Sequence, residues 1–227
     1  KPCEPNSAYR FVSFGVKPKD YTFGIRQAEY KASELLQSAD SEDEHIPKLK
    51  EIIICTGGSD ALNVAAMGYN VVWFNSETIK KDTIPYKKLE GIAYKVYYLG
   101  DLDSTGKDES LKLGLEYLTL HLIDLPERLK TFRDDKNGKP CKDIKDYLQV
   151  FKVSDFRGLL TRSYPLQFWD EKYKKDRKGI QIMEFGQPVK EYKPDAELIY
   201  NFLQKHGFGR LKVLNAKEPV MVRIEDN

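Results

Sequence analysis

The chain has 227 residues, 41% of them hydrophobic and 12% aromatic, enough apolar material for one or two domains with packed cores. Its 37 Lys and Arg against 35 Asp and Glu leave a net charge of +2, which exerts no global pull on nucleic acid or anionic membrane; a polyanion would be met by local patches. Cys3, Cys55 and Cys141 form no C-x-x-C pair, which argues against zinc and against a disulfide framework and makes a reducing cytoplasm the default compartment. No apolar run approaches the ~18 residues that span a bilayer, and no signal-like segment opens the sequence, so no membrane partner is expected. The chain starts at Lys1 and stops within a strand-like pattern at Ile224-Glu225-Asp226-Asn227, which reads as a piece of a longer protein.

The first 47 residues carry aromatic turn material (Phe14-Gly15, Tyr21-Thr22-Phe23-Gly24) and then a helical pattern through Gln27, Ala28, Tyr30, Leu35 and Leu36, before a polar, acidic loop at 38–44. Ile52-Ile53-Ile54-Cys55 follows, a continuous run expected of a parallel strand buried on both faces. It breaks into Thr56-Gly57-Gly58-Ser59-Asp60, and a helix is predicted from Asp60 to Met67, with Leu62 and Met67 in its core face and Gly68 ending it. Val71–Phe74, Lys95–Leu99 and Leu120–Leu125 are the next predicted strands. Helical patterns lie between them, the longest with Leu111, Leu115 and Leu118 on one face. Strands alternating with helices imply an α/β fold with a parallel sheet, and ligands then belong at the carboxyl ends of the strands. Residues 152–194 lose this periodicity and hold the basic run Lys172 to Lys178, a linker or appended segment. From Asp195 the pattern Leu198, Ile199, Phe202, Leu203 predicts an amphipathic helix, followed by short strands at 211–214 and 220–224, the start of a further α+β region.

Asp101-Leu102-Asp103-Ser104-Thr105-Gly106 stands directly after the third of these strands. Alternate side chains of an extended segment share a face, so aspartates at i and i+2 at a strand's end can converge on one hard cation. Mg²⁺ takes oxygen ligands and keeps several waters, so one or two carboxylates suffice. Two other signals fall at the ends of predicted elements: Thr56-Gly57-Gly58-Ser59-Asp60-Ala61-Leu62 and Lys142-Asp143-Ile144-Lys145-Asp146-Tyr147-Leu148.

Taken in order over residues 48–151, these three motifs resemble the Toprim domain of bacterial and phage-type DNA primases and primase-helicases. That family's pattern is a strand ending in Glu-Gly-x-x-Asp-Ala-Leu, a strand ending in D-x-D-x-x-G, and a later Lys-Asp-x-x-Asp-x-Leu. Phe23 to Ala28 resembles the lead-in segment of such primases. The resemblance implies a Rossmann-like parallel sheet flanked by helices. It also implies Mg²⁺ (Mn²⁺ as substitute) on Asp101, Asp103 and Asp143, and short RNA primers made from ribonucleoside triphosphates on a single-stranded DNA template. A helicase in the same or a partner chain, a phage or mobile-element context and a cytoplasmic location go with that reading. Asp146 is either a further ligand or a carboxylate at a helix N-terminus. Asp60 is either a ligand or a helix-start residue. Gly57 is retained, and Gly106 would let the chain turn closely past a phosphate or simply serve a strand-to-helix turn.

One departure bears on catalysis. Thr56 stands where the family has its glutamate, and a hydroxyl cannot shuttle a proton as a carboxylate does near neutral pH. Glu77, just beyond the second strand, is a candidate substitute; Glu51 lies at the wrong end of its strand. The alternatives to a primase are therefore a catalytically degraded module that binds DNA or assembles beside a helicase, and a Toprim-type nuclease. Lys80, Lys81 and Lys107 are candidate phosphate contacts, Lys107 alternatively an exposed helix lysine. Lys172, Lys174, Lys175, Arg177 and Lys178 are candidate nucleic-acid contacts or a solvated face, with Tyr173 among them able to stack on a base. The histidines His45, His121 and His206 show no ligand spacing.

Overall fold

The structure is a computed structural model that describes residues 21–38, 46–74, 84–134, 138–211 and 220–223. Chain contacts divide it into two units, Lys1–Pro165 and Leu166–Asn227.

The first unit is built on a sheet whose central strands are buried on both faces, which is why they read as unbroken apolar runs rather than alternating ones. Strands β1 (Ile52–Cys55), β2 (Val71–Trp73), β3 (Val96–Leu99), β4 (His121–Ile123) and β5 (Tyr164–Pro165) lie in the order β2-β1-β3-β4-β5. The first four run parallel and β5 closes the edge antiparallel to β4. This is the α/β architecture expected from the sequence. The register sets Ile53 beside Val71 and Tyr97, and Tyr97 beside His121.

The pleat sorts the strand residues into two cores. Ile53, Cys55, Tyr97, Leu99 and Ile123 pack on one side with α2 (Gly58–Ala66), α5 (Ile144–Val150) and α6 (Val153–Arg162). Ile52, Ile54, Val72, Val96 and Tyr98 pack on the other with α1 (Ile25–Ser38), α3 (Tyr86–Ile92) and α4 (Ser104–Glu116). At roughly 1.5–3 kcal/mol for each large side chain fully removed from water, these two layers are what hold the strand ends in place.

Several details differ from the sequence reading. α1 forms, but it buries the small Ala28 and Ala32 while Tyr30 and Leu36 stay exposed. In α2 the buried residues are Ala61 and Val64, and Leu62 faces solvent. In α4 Leu115 is buried as expected, together with Leu113, whereas Leu111 is exposed and Leu118 lies exposed beyond the helix. Residues 152–165 are not appended: Phe156, Leu159 and Leu160 of α6, spaced i, i+3, i+4, belong to the first core.

The second unit begins as a β-arm. β6 (Trp169–Tyr173) pairs antiparallel with β9 (Lys190–Pro194), and β7 (Met183–Glu184) with β8 (Gln187–Pro188) in a two-residue hairpin. α7 (Ala196–Lys205) follows, N-capped by Asp195, whose carboxylate accepts from the Leu198 N–H at 2.9 Å. β10 (Phe208–Leu211) and β11 (Val220–Arg223) form an antiparallel pair. Much of the segment 166–194, expected to be irregular, is thus antiparallel β-ribbon whose longer strands expose both faces, a pattern that strand-burial periodicity cannot reveal.

Candidate metal centre

β1 connects to β2 on one side of the sheet, and β3 to β4 on the other, so the strand order reverses between β1 and β3. In such a sheet the crevice outside the carboxyl ends at the reversal is where ligands bind. Thr56 follows β1 and Gly100-Asp101 follows β3, so both lie there.

The geometry of the D-x-D segment comes from a turn rather than from the strand pleat. β3 ends at Leu99, and Asp103 is the N-cap of α4, its Oδ1 accepting from the Gly106 N–H at 2.9 Å. Gly106 is obligatory for a local reason: a Cβ there would lie 2.3 Å from the Asp101 carbonyl oxygen and 2.7 Å from its nitrogen. It allows the helix start to pass over the Asp101 backbone, which accounts for the glycine three residues after the second aspartate without any phosphate.

Asp101 and Asp103 do converge, and Lys142 marks the point. Its Nζ lies 2.9 Å from Asp101 Oδ2 and 2.6 Å from Asp103 Oδ2. The third motif is brought there by the Leu102 N–H, which donates to the Lys142 carbonyl at 2.9 Å. The side chain of Asp101 is 10% exposed and that of Asp103 35%. Burial alone would raise the Asp103 carboxyl, but the Lys142 ammonium and the Gly106 N–H hold it below its usual range. Burial likewise works against the Lys142 charge and is outweighed by Asp103 and Asp101, so the ammonium stays charged well above its usual range.

Asp143 is the N-cap of α5, its Oδ1 accepting from the Asp146 N–H at 2.8 Å. Burial pushes its carboxyl up, the Asp146 N–H opposes this, and the Asp146 and Asp101 charges add to the rise. Asp146 is buried in the first turn of α5 and accepts from the Lys142 N–H at 2.8 Å, so it performs the helix-terminal role and fixes the backbone that carries Lys142. Among the described residues no three carboxylate, imidazole or thiolate groups gather as a metal ligand set. Asp101 and Asp103 are the pair that meets, with Asp143 near enough to feel the charge of Asp101.

That pair suits Mg²⁺ by its chemistry. Two carboxylate oxygens already share one cation, and that cation is a flexible side chain able to withdraw. Thr56 does not contribute: it is 6% exposed and its hydroxyl donates to Asp60 Oδ2 at 3.4 Å, with Asp60 in the first turn of α2. Gly57 caps the same helix with extended backbone. Glu51 lies before β1, its carbonyl accepting from the Asn70 side chain, at the opposite end of the sheet. Glu77, Lys80 and Lys81 lie outside the described residues.

Beside the aspartates is an open cleft of about 660 Å³ lined by Lys130, Lys139, Lys142 and Lys145 together with Asp103, Asp134, Asp143 and Asp146. None of these four lysines is among the candidate site residues that spacing and motif single out. Lys142 and Lys145 sit inside the third motif, and the charge alternation there was the available signal. Lys107 of α4 is ion-paired with Glu127, which also pairs with Lys130 at 2.9 Å. In the second unit Lys172 lies 3.9 Å from Asp170, while Arg177 and Lys178 occupy the tight turn that Asp176 closes by accepting from the Lys178 and Ile180 N–H groups.

No protein-family model matches the sequence, and no curated protein matches it. Among solved structures, the chain is similar to one of bacteriophage T7 lagging-strand DNA polymerase interacting with the primase domains of two gp4 subunits bound to an RNA/DNA hybrid and dTTP. The TM-score is 0.42 and the identity 16%, over 52% of this chain and 57% of that one. It is similar to the DnaG primase catalytic domain bound to ssDNA, with TM-score 0.42 and 18% identity over 63% and 39% of the two chains. It is also similar to a DNA primase domain from Pseudomonas aeruginosa, with TM-score 0.42 and 17% identity over 82% and 43%. The chain thus spans between 39% and 57% of the length of these structures. No helix among the described residues is long and apolar enough to cross a membrane.

Proposed function

We propose that the first unit is a Toprim-type module of a DNA primase, holding Mg²⁺ on Asp101 and Asp103 and directing it at nucleotide phosphates. The observation that supports this most directly is the convergence of the two D-x-D carboxylates on a single cationic atom at the strand-order reversal. Bound there, Mg²⁺ would neutralise charge on a phosphoryl group and orient the attacking oxygen. Asp101 and Asp103 supply the anionic oxygens, and Gly106 keeps Asp103 in its capping geometry beside Asp101. Lys142, if released from the carboxylates, would be a point charge for a phosphate oxygen, and Lys130, Lys139 and Lys145 line the same cleft in alternation with Asp134, Asp143 and Asp146. Asp143, whose carboxyl is influenced by the charge of Asp101, would act on the metal's waters rather than as a direct ligand. In this reading the partners are a single-stranded DNA template, ribonucleoside triphosphates and a helicase in the same or a neighbouring chain, in the cytoplasm of a cell carrying a phage or mobile element.

The buried Thr56 favours a second reading in which the module binds metal and DNA but forms no primers, because no carboxylate stands at the glutamate position. Incubating the full-length parent with template, ribonucleotides and Mg²⁺ separates the readings. Short primers lost in Asp101→Asn and Asp103→Asn are expected of a primase. Absence of primers with Mg²⁺ still binding at the aspartates supports the inactive module, strand cleavage supports a nuclease, and absence of Mg²⁺ binding overturns the site itself.

A further inference from the structure

The β-arm of the second unit has an aromatic face that no core covers. β6 and β9 pair with Glu171 opposite Tyr192 and Tyr173 opposite Lys190, and directly opposed residues of an antiparallel pair share a face. Trp169 and Tyr173 lie two residues to either side of Glu171, so they fall on that same face. Trp169, Tyr192 and Tyr173 therefore form a diagonal ladder across the ribbon, exposed by 46%, 57% and 51%. Lys190 stands beside Tyr173 on this face, ion-paired with Glu171. The strand continues directly into Lys174 and Lys175, held in the arm by the Lys174 N–H bond to the Val189 carbonyl and by the bridge from Lys175 to Gln181.

Phe185 is fully exposed at the tip of the β7–β8 hairpin, its φ of 50° and the 76° of Gly186 being those that a two-residue turn requires.

We propose that this arm is a binding surface for single-stranded DNA, with Trp169, Tyr192 and Tyr173 stacking on bases and Lys175 and Lys190 meeting the backbone. Aromatic faces interleaved with lysines are the two halves of sequence-tolerant single-strand binding: any base offers a π-face, and the phosphates supply the charge. A protein partner or a second copy would favour an apolar patch with charge depleted at its centre, whereas this ladder carries an ion pair between its rings. The surface needs no metal, so it stands or falls apart from the metal centre of the first unit.

The test is fluorescence anisotropy of a labelled oligo-dT with the whole chain in EDTA. Each of Trp169→Ala, Tyr173→Ala and Tyr192→Ala is expected to weaken binding about fivefold or more, with an oligo-U bound comparably and a duplex at least about tenfold more weakly. Lys175→Gln with Lys190→Gln should flatten the logarithmic salt dependence by about 1.4. Binding should also quench tryptophan emission, and the quench should vanish in Trp169→Phe, which keeps an aromatic ring. Far-ultraviolet circular dichroism confirms that these exposed substitutions leave the fold intact. Unchanged affinity in the triple alanine variant, a quench that survives Trp169→Phe, equal affinity for duplex, or an effect confined to the oligomeric state overturns the proposal.

Discussion

Replacing Lys142 by methionine removes the charge while keeping the length of the side chain, and its effect follows from the geometry around it. In the native chain one ammonium serves two carboxylates at 2.9 and 2.6 Å, with Asp101 nearly buried. An exposed ion pair contributes about 0–1 kcal/mol, and removing one partner of a fully buried pair costs about 3–5 kcal/mol. Lys142 is 41% exposed, which places the loss between these limits at roughly 1–2 kcal/mol. For a unit of this size that is a fall in Tm of about 2–8 °C, measured by calorimetry in EDTA. The same substitution leaves two converged carboxylates with no cation, so divalent metal should bind more tightly than in the native chain, where it must displace the ammonium. At a concentration of about 100 times Kd, Mg²⁺ stabilises by about 2.7 kcal/mol, enough to restore the lost Tm. A variant as stable as the native chain in EDTA would refute the role given to the ion pair. A destabilised variant that Mg²⁺ fails to rescue would refute the claim that Lys142 occupies a metal position.

Asp143→Asn keeps the α5 cap, since asparagine accepts from the Asp146 N–H as well as aspartate does, but removes a charge that folding disfavours; Tm in EDTA should hold or rise slightly while Mg²⁺ affinity falls severalfold by calorimetric titration. Gly106→Ala drives a Cβ into the Asp101 backbone and should cost roughly 2–3 kcal/mol, read as a loss of Tm whether or not metal is present. Thr56→Glu places a second carboxylate beside Asp60, so it should lower stability by about 1–2 kcal/mol in EDTA, recover with Mg²⁺, and tighten Mg²⁺ binding if the primase reading holds. The folded-state pKa of Asp103 is depressed, so its contribution is present above the unfolded carboxylate value of 3.8 and is lost as pH falls through the lower folded value; denaturant titrations of the native chain and Asp103→Asn should differ above pH 3.8 and approach each other only as pH falls below it.

The parallel sheet was legible because strands buried on both faces leave unbroken apolar runs such as Ile52–Cys55, and because Gly and Asp punctuate their ends. α6 was not, since its stripe of Phe156, Leu159 and Leu160 is short and follows a loop at Phe151. The β-arm was not either: Trp169–Tyr173 and Lys190–Pro194 expose both faces, so neither alternation nor an apolar run betrays them. At the candidate site the two aspartates were identified by type and spacing, but the reason for their convergence was not. The strand pleat suggested it; the α4 cap, the Gly106 contact and the lysine from a motif 39 residues away produce it. That lysine lies within the third motif, but its carboxylate partners are set by the tertiary path of the chain rather than by local pattern.

The most direct measurement is a crystal structure of the protein grown with Mn²⁺, with anomalous differences used to place the ion. The account predicts one Mn²⁺ bound by Asp101 and Asp103, with the Lys142 ammonium moved off both carboxylates. Lys142 still bridging the pair at saturating Mn²⁺, with no anomalous peak between them, would contradict it.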